Sequence, residues 1–199
     1  MKRKLLFCII LLIGLTKANA QVKLRIEPGI LLGTDSDNLG LLFNIEPKIK
    51  SSENTIIGLR FGLSVNSQKF NFNDTARFFI DNKNDNAVIS FTPTFDYYFT
   101  ENFNRPYIGL GLGYYIMSTI DVSDLSITSE IQQGNINNQL GFLLRGGLEL
   151  GNTRFGLEYN LIPSSDIEIP SDEIIGTVNN SYFGLSIGFT IAGRRNLEE

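Results

Sequence analysis

Histidine and tryptophan are absent from this sequence of 199 residues, and its only cysteine is Cys8. The absence of histidine removes the side chain that most often serves as a general base near neutral pH. A single cysteine excludes an internal disulfide framework. After the first twenty residues, no apolar run approaches the ~20 residues that a transmembrane helix needs, so the sequence predicts no membrane-spanning helix.

The first twenty residues have the three parts of a secretory signal peptide. Residues 2–4 are basic, residues 5–15 form a short apolar run, and Ala18-Asn19-Ala20 is a cleavage site of the A-x-A type. The pattern predicts cleavage before Gln21 and one domain over residues 21–199. Cys8 would leave with the signal peptide, so no thiolate site is expected in the remaining chain.

Cleavage would leave a strongly acidic chain. All 21 acidic side chains lie after position 20, whereas four of the 17 basic ones would be removed. The 13 that remain give a formal net charge of −8. This balance argues against nucleic-acid binding, which needs a basic surface. We find no motif for a cofactor or metal ion and expect none, although acidic loops could bind divalent cations.

A hairpin over residues 141–161 shows the pattern that recurs along the chain. It predicts strands over 141–150 and 153–161, joined by the link Gly151-Asn152. Residues whose numbers sum to 303 then face each other. One face of this hairpin is apolar along its whole length, and the other is ionic and rich in glycine.

The charges of this hairpin are placed opposite one another. Arg145 faces Glu158, and Glu149 faces Arg154 on the neighbouring strand. Facing side chains of opposite charge stabilise a strand pair, so we expect these four residues to form two ion pairs.

Six further segments alternate in the same way between apolar and polar residues. The predicted strands are 22–32, 39–49, 55–65, 87–99, 105–116 and 181–191. With the hairpin they make eight, each close to the roughly 9–11 residues that a tilted strand needs to cross a bilayer. Three long polar segments, 66–86, 117–137 and 163–180, alternate with short turns, and we expect these long segments to be surface loops.

This pattern favours a transmembrane barrel over a soluble sandwich. A soluble core would have to bury eight apolar faces, whereas a barrel turns them toward lipid and encloses the polar faces. A sheet edge left open in hydrocarbon would expose unpaired backbone groups, so the strands must close into a ring. We therefore predict an all-β protein, an eight-stranded antiparallel up-and-down transmembrane β-barrel preceded by a cleavable signal peptide.

The inward positions of such a barrel carry charges of both signs in comparable number. We expect them to fill the narrow lumen as a structural network of ion pairs. The residues are Arg25, Glu27, Glu46, Lys48, Arg60, Asp96, Arg145, Glu149, Arg154 and Glu158. Four apolar residues, Leu31, Leu42, Leu143 and Ile162, also fall on the inward face, so the lumen is not expected to be wholly polar.

The signal peptide, the eight amphipathic strands and the charged inward face resemble the OmpA/OmpX-type outer-membrane β-barrel family of Gram-negative bacteria. The resemblance covers residues 21–199. It implies a monomer in outer-membrane lipid, with both termini in the periplasm and the long loops at the cell surface. The family often ends its last strand with an aromatic residue, whereas ten residues follow Phe189 here.

The expected function is structural, or the binding of a protein or surface ligand at loops 66–86, 117–137 and 163–180. A narrow channel and an accessory barrel for assembly or secretion are the alternatives. A secreted lipocalin-like carrier is disfavoured because the charges and glycines share one face and an early Gly-x-Trp is missing. Barrel enzymes that modify lipids generally use a histidine, which is absent, so we expect no catalytic activity.

Overall fold

The computed structural model describes residues 22–36, 38–80, 85–125 and 130–192. The predicted signal peptide lies outside these residues, as does the chain after Ala192. Within the described ranges the protein is all-β, with strands β1 to β14 in chain order. No helix in these ranges is long and apolar enough to cross a membrane.

Eight strands close into an antiparallel barrel. Around the ring the order is β1, β14, β11, β10, β7, β6, β3 and β2, so each strand pairs with its sequence neighbour in the barrel and the first pairs with the last. The strands are β1 (Val22–Gly33), β2 (Leu39–Lys50), β3 (Thr55–Ser67), β6 (Asp85–Tyr98), β7 (Asn104–Met117), β10 (Gln139–Leu150), β11 (Thr153–Leu161) and β14 (Tyr182–Ala192). Every predicted strand is present, and its ends agree with the sequence pattern to within two residues.

The hairpin β10–β11 has the predicted register. Arg145 pairs with Glu158, and Leu150 with Thr153, as Cα neighbours across the two strands. Gly151 occupies the tight connection with φ of 62°, a conformation that glycine adopts without steric cost. Its amide donates a hydrogen bond to the carbonyl of Phe103, at 3.2 Å, and so joins this turn to the turn before β7.

Alternation along the strands separates an apolar outer wall from a polar interior. Phe61, Leu110 and Phe155 are 40%, 54% and 46% exposed on the outside of the ring. Arg60, Arg145 and Glu158 point inward and are at most 5% exposed. An exposed apolar belt around a buried ionic core is the arrangement of a barrel that sits in lipid.

The two ends of the barrel differ. One end, called here the turn end, carries the short connections around residues 51–54, 99–103 and 151–152, with Val22 and Ala192 beside them. The opposite end, called the loop end, carries the connection after β1 and the three long segments. This difference in connection length is typical of outer-membrane barrels.

The long segments, for which the sequence predicts surface loops, also form strands. They contain six short strands, which form a second sheet in the order β4, β13, β12, β9, β8 and β5. These strands are β4 (Phe70–Phe72), β5 (Phe78–Phe79), β8 (Ile120–Asp124), β9 (Glu130–Ile136), β12 (Ser165–Glu168) and β13 (Ile174–Val178). We call this sheet with its connecting segments the cap. The backbone N–H and C=O groups of these strands form hydrogen bonds with one another across the cap, and so do not depend on water as partners.

Candidate functional site

The ten charged side chains singled out from the sequence all lie inside the barrel, and none is more than 5% exposed. Strand alternation brings them there from six of the eight barrel strands. A buried charge is costly unless an opposite charge and hydrogen bonds compensate it. The stability of the lumen therefore depends on the contacts that each of these charged groups makes.

Arg145 of β10 is the centre of the best-formed cluster. Its Nε and Nη2 donate to the two oxygens of Asp96, at 2.8 and 3.0 Å. Nη2 also donates to Oε1 of Glu46, at 2.6 Å. Arg154 adds a second cation to Asp96, with Nη1 2.8 Å from Oδ2. Bidentate contacts of this kind are the strongest ion pairs that proteins make.

A second cluster lies toward the turn end around Glu149. Its carboxylate accepts hydrogen bonds from Arg25, from Arg105 and, at 2.8 Å, from the hydroxyl of Tyr98. Lys48 adds a longer ion pair of 3.7 Å. Arg105 is not among the lumen residues predicted from the sequence, although it lies four residues before Gly109 and so on the same, inward face of β7.

The third cluster lies toward the loop end and is linked to neutral groups. Arg60 donates to Glu158, and the amide of Asn160 donates to the other carboxylate oxygen at 2.9 Å. The hydroxyl of Tyr115 then donates to Oδ1 of Asn160 at 2.7 Å. Polar networks of this kind stabilise a fold when their members are satisfied.

Glu27 lies between the three clusters. Its carboxylate is 3.6 Å from Arg25, 3.9 Å from Arg60 and 3.5 Å from Arg154. These separations are those of ion pairs and not of hydrogen bonds. One carboxylate therefore attracts an arginine from each of three different strands.

The ion pairs expected between facing residues of β10 and β11 do not form. Arg145 contacts Glu46 and Asp96 instead of Glu158, and Glu158 contacts Arg60. The register of the hairpin is as predicted, so the difference arises in the side chains. Because the ring is narrow, a long inward side chain can reach the strands across the lumen as well as the strand beside it.

Inward glycines leave the space that these side chains occupy. A Cβ atom added to Gly109 would overlap Oδ1 of Asp96 and lie 3.0 Å from Cγ of Arg145. A Cβ on Gly58 would lie 2.5 Å from Oε1 of Glu46. Glycines and charged residues therefore share the inward face, because the long charged side chains need the space that glycine leaves.

Apolar and aromatic groups bound the charged layer on both sides. At the turn end, Tyr98 and Tyr107 pack with their ring centroids 5.7 Å apart, beside Ile56. The guanidinium of Arg154 lies 3.5 Å from the centroid of the Tyr107 ring, a cation–π contact. At the loop end, Leu31 and Leu42 are at most 3% exposed and begin an apolar cluster that continues out of the barrel.

This cluster extends into the cap and forms its core. Ile136, Ile167, Ile175 and Val178 come from the cap strands and are all 1% exposed or less. Their burial at roughly 1.5–3 kcal/mol for each large side chain explains why short strands from three segments can form a sheet. The mouth of the barrel at the loop end is consequently filled by apolar side chains.

One arginine of the cap joins all three long segments. Arg77 donates to Asp124 through Nη2 at 3.0 Å and to Glu173 through Nη1 at 3.0 Å. Its guanidinium also lies 4.5 Å from the centroid of the buried Phe78 ring. Hydrogen bonding to Asp124 raises the pKa of Arg77 above its usual value. We call these three charged residues the clasp.

The described residues contain no cluster of three or more acidic, histidine or cysteine side chains that could hold a metal ion. A depression of about 810 Å³ lies on the outside of the barrel, where Gly146 and Pro28 replace larger apolar side chains. It is open on the apolar wall, so it is part of the surface that faces hydrocarbon.

A closed ring of eight antiparallel strands, apolar outside and ionic inside, defines the class of small outer-membrane β-barrels. Solved structures of that class share the fold of this chain, consistent with an OmpA/OmpX-type barrel. No family model matches the sequence, and no curated protein matches it.

Two of the similar structures are Neisserial surface protein A and the outer membrane protein OprG from Pseudomonas aeruginosa. The first is 13% identical, with a TM-score of 0.50, and the match covers 88% of this chain and 98% of that one. The second is 10% identical, with a TM-score of 0.51, and covers 87% and 97%. The outer membrane enzyme PagL is 12% identical, with a TM-score of 0.47 and coverage of 85% and 99%.

Proposed function

We propose that this chain is an integral outer-membrane protein whose barrel anchors a folded cap at the cell surface, with a structural or surface-interaction role. The observation that carries the proposal is the filled lumen. Ion pairs occupy its middle, tyrosines bound it at the turn end, and an apolar cluster fills it at the loop end. Such an interior holds a barrel together and leaves recognition to its outer surfaces.

The orientation follows from the connections. Short turns face the periplasm and long segments face the exterior in barrels of this class, so both ends of the chain are assigned to the periplasmic side. The signal peptide over residues 1–20 directs the chain to this compartment and is then cleaved before Gln21. We assign the ten charged residues to a structural network within a monomer embedded in outer-membrane lipid.

The role is non-catalytic. The chain has no histidine, and the carboxylates of the lumen are each held by arginines in the buried network. A carboxylate held in this way is not available to a substrate as a base. Contacts at the cell surface would be made by the cap, because the barrel wall is in lipid.

Conductance in planar lipid bilayers tests this proposal against the alternative of a narrow channel. We expect the folded protein, reconstituted at several concentrations, to give no discrete channel events, because buried ion pairs and an apolar cluster occupy the lumen. A folded barrel is verified in the same sample by its altered gel mobility before and after boiling. Discrete, reproducible openings from such a sample would contradict a sealed lumen.

A further inference from the structure

A cleft of about 340 Å³ lies on the outer face of the cap, away from the lumen. Its walls come from β9, from the end of β12 and from the turn that follows β12. This volume is near the low end of the roughly 300–1,000 Å³ that small-molecule sites occupy. The lining residues are Thr119, Gln133, Asn135, Glu168, Ile169, Pro170 and Asp172.

Strand pairing brings the polar groups of the cleft to one face. Gln133 and Asn135 are two residues apart on β9, so their side chains leave the same side of the strand. Glu168 of β12 pairs directly with Asn135. The two amides and this carboxylate therefore lie side by side on the solvent face of the sheet, and Thr119 lies at its edge.

The opposite wall is a tight turn with a fixed shape. The amide of Asp172 donates to the carbonyl of Ile169 at 3.0 Å, and the amide of Ile169 donates to the backbone carbonyl of Glu173 at 3.1 Å. Asp172 has φ of 63°, which is uncommon for a residue with a side chain. The next residue, Glu173, belongs to the clasp, so this wall is connected to Arg77 by an ion pair.

The chemistry of the lining selects a type of ligand. Two carboxylates and no cation line the cleft, so it repels phosphate, sulfate and other anions. Carboxylate and amide side chains together accept and donate hydrogen bonds, which is what adjacent hydroxyl groups require. Pro170 is exposed and adds an apolar surface against which the C–H face of a sugar ring could pack, whereas Ile169 belongs to the buried core of the cap.

A bare cation fits the cleft less well. Ca²⁺ needs six to eight oxygens that converge to about 2.3–2.6 Å from one point. The carboxylates and amides here surround an open space of about 340 Å³, and only two of them are acidic. We propose that the cleft binds a neutral saccharide unit through Asn135, Glu168 and Asp172.

A glycan array probed with the full chain in lipid nanodiscs tests this proposal. The array should contain neutral hexose and N-acetylhexosamine glycans together with sulfated and sialylated versions of the same glycans. We expect retention on a subset of the neutral glycans and loss of binding where a sulfate or carboxylate is added. Asn135→Ala and Glu168→Gln should each weaken that binding about tenfold, because a ligand hydroxyl loses a hydrogen-bond partner in the first variant and a charged acceptor in the second.

Asp166→Asn is the matched control, because Asp166 lies on the same strand as Glu168, is exposed and is outside the cleft. It removes one negative charge and should leave glycan binding within about twofold of the original. Failure to retain any neutral glycan, equal losses with Asp166→Asn, or preference for sulfated glycans would each overturn the proposal. Binding of Ca²⁺ alone at the cleft, without any glycan retained, would overturn it as well.

Discussion

Single residues decide how the lumen is filled, and Gly109 is the sharpest case. Gly109→Ala puts a methyl group against Asp96 and Arg145, which hold each other by two hydrogen bonds. Because neither group can move without weakening the other, we expect the free energy of unfolding to fall by about 1–3 kcal/mol. Urea unfolding of the refolded protein in lipid vesicles measures this change.

Gly146→Ala is the control for this substitution. Gly146 lies on the outer wall, and a Cβ there would meet only the carbonyl oxygen of Tyr107, at 3.4 Å. We expect stability to stay the same or rise by a few tenths of a kcal/mol, since alanine restricts the unfolded chain more than glycine does. Equal losses in the free energy of unfolding from both substitutions would show that the space at Gly109 is not needed by Asp96 and Arg145.

Arg145 provides a test of which charges are paired. Arg145→Met leaves Glu46 and Asp96 buried with fewer cations, and removing one partner of a buried pair costs about 3–5 kcal/mol. In a double-mutant cycle, Arg145→Met and Asp96→Asn should be coupled by roughly 0.5–3 kcal/mol. The same cycle with Glu158→Gln should be close to additive, although Glu158 faces Arg145 across the strands.

The charge swap of Arg145→Glu with Glu158→Arg should accordingly fail to restore stability. It would place a carboxylate beside Glu46 and Asp96 and an arginine beside Arg60. Recovery of stability in that double variant, measured by the same urea unfolding, would favour direct pairing of the facing residues.

At the scale of elements, the clasp holds three separate segments in one cap. Arg77→Ala removes the hydrogen bonds to Asp124 and Glu173 and leaves the buried carboxylate of Asp124 without this cation. We expect the cap to open more often, so that proteinase K cleaves the three long segments several times faster in intact vesicles. The barrel itself should keep its mobility difference between boiled and unboiled gel samples.

Lys50→Ala is the matched control for the clasp. Lys50 is also a basic residue, but it is exposed at the turn end, on the last position of β2. Its loss should leave the cleavage of the cap unchanged. If Arg77→Ala also left cleavage unchanged, the apolar core would be sufficient to hold the cap without the clasp.

The barrel strands could be predicted from the sequence because each carries its own signal. A strand between lipid and a polar lumen must alternate, so residues such as Ile57, Leu59 and Phe61 identify β3 without knowledge of its neighbours. The register of β10 with β11 followed from one tight turn. The alternation of apolar and polar residues predicts the structure correctly wherever one face of a strand meets lipid and the other meets the lumen.

The cap and the ion pairs could not be predicted in this way. The cap strands are two to seven residues long, and β12 pairs with β9 through only Ile167 and Glu168, whose partners lie some thirty residues earlier. Similarly, the partners of Arg145 are set by the curvature of the ring. Both features depend on contacts between distant segments, about which a periodic pattern carries no information.

At the scale of the whole molecule, the decisive question is which side of the ring meets hydrocarbon. Leu110 lies at the middle of β7 and is 54% exposed, whereas Leu39 begins β2 at the loop end and is 69% exposed. In a soluble protein, replacing leucine with arginine at either exposed site would change the free energy of unfolding only slightly. In a membrane the cost of a charge on the outer wall depends on its depth.

We therefore expect Leu110→Arg to lower the free energy of unfolding in lipid vesicles by about 2–4 kcal/mol, the cost of arginine near the bilayer midplane. Leu39→Arg, near the interface, should lower it by roughly 0–1 kcal/mol. The difference should shrink when both variants are compared in short-chain detergent, because water reaches the guanidinium there more easily. Equal and small effects at the two positions would mean that the apolar belt does not lie in a bilayer, and the placement of the cap at the cell surface would then lose its basis.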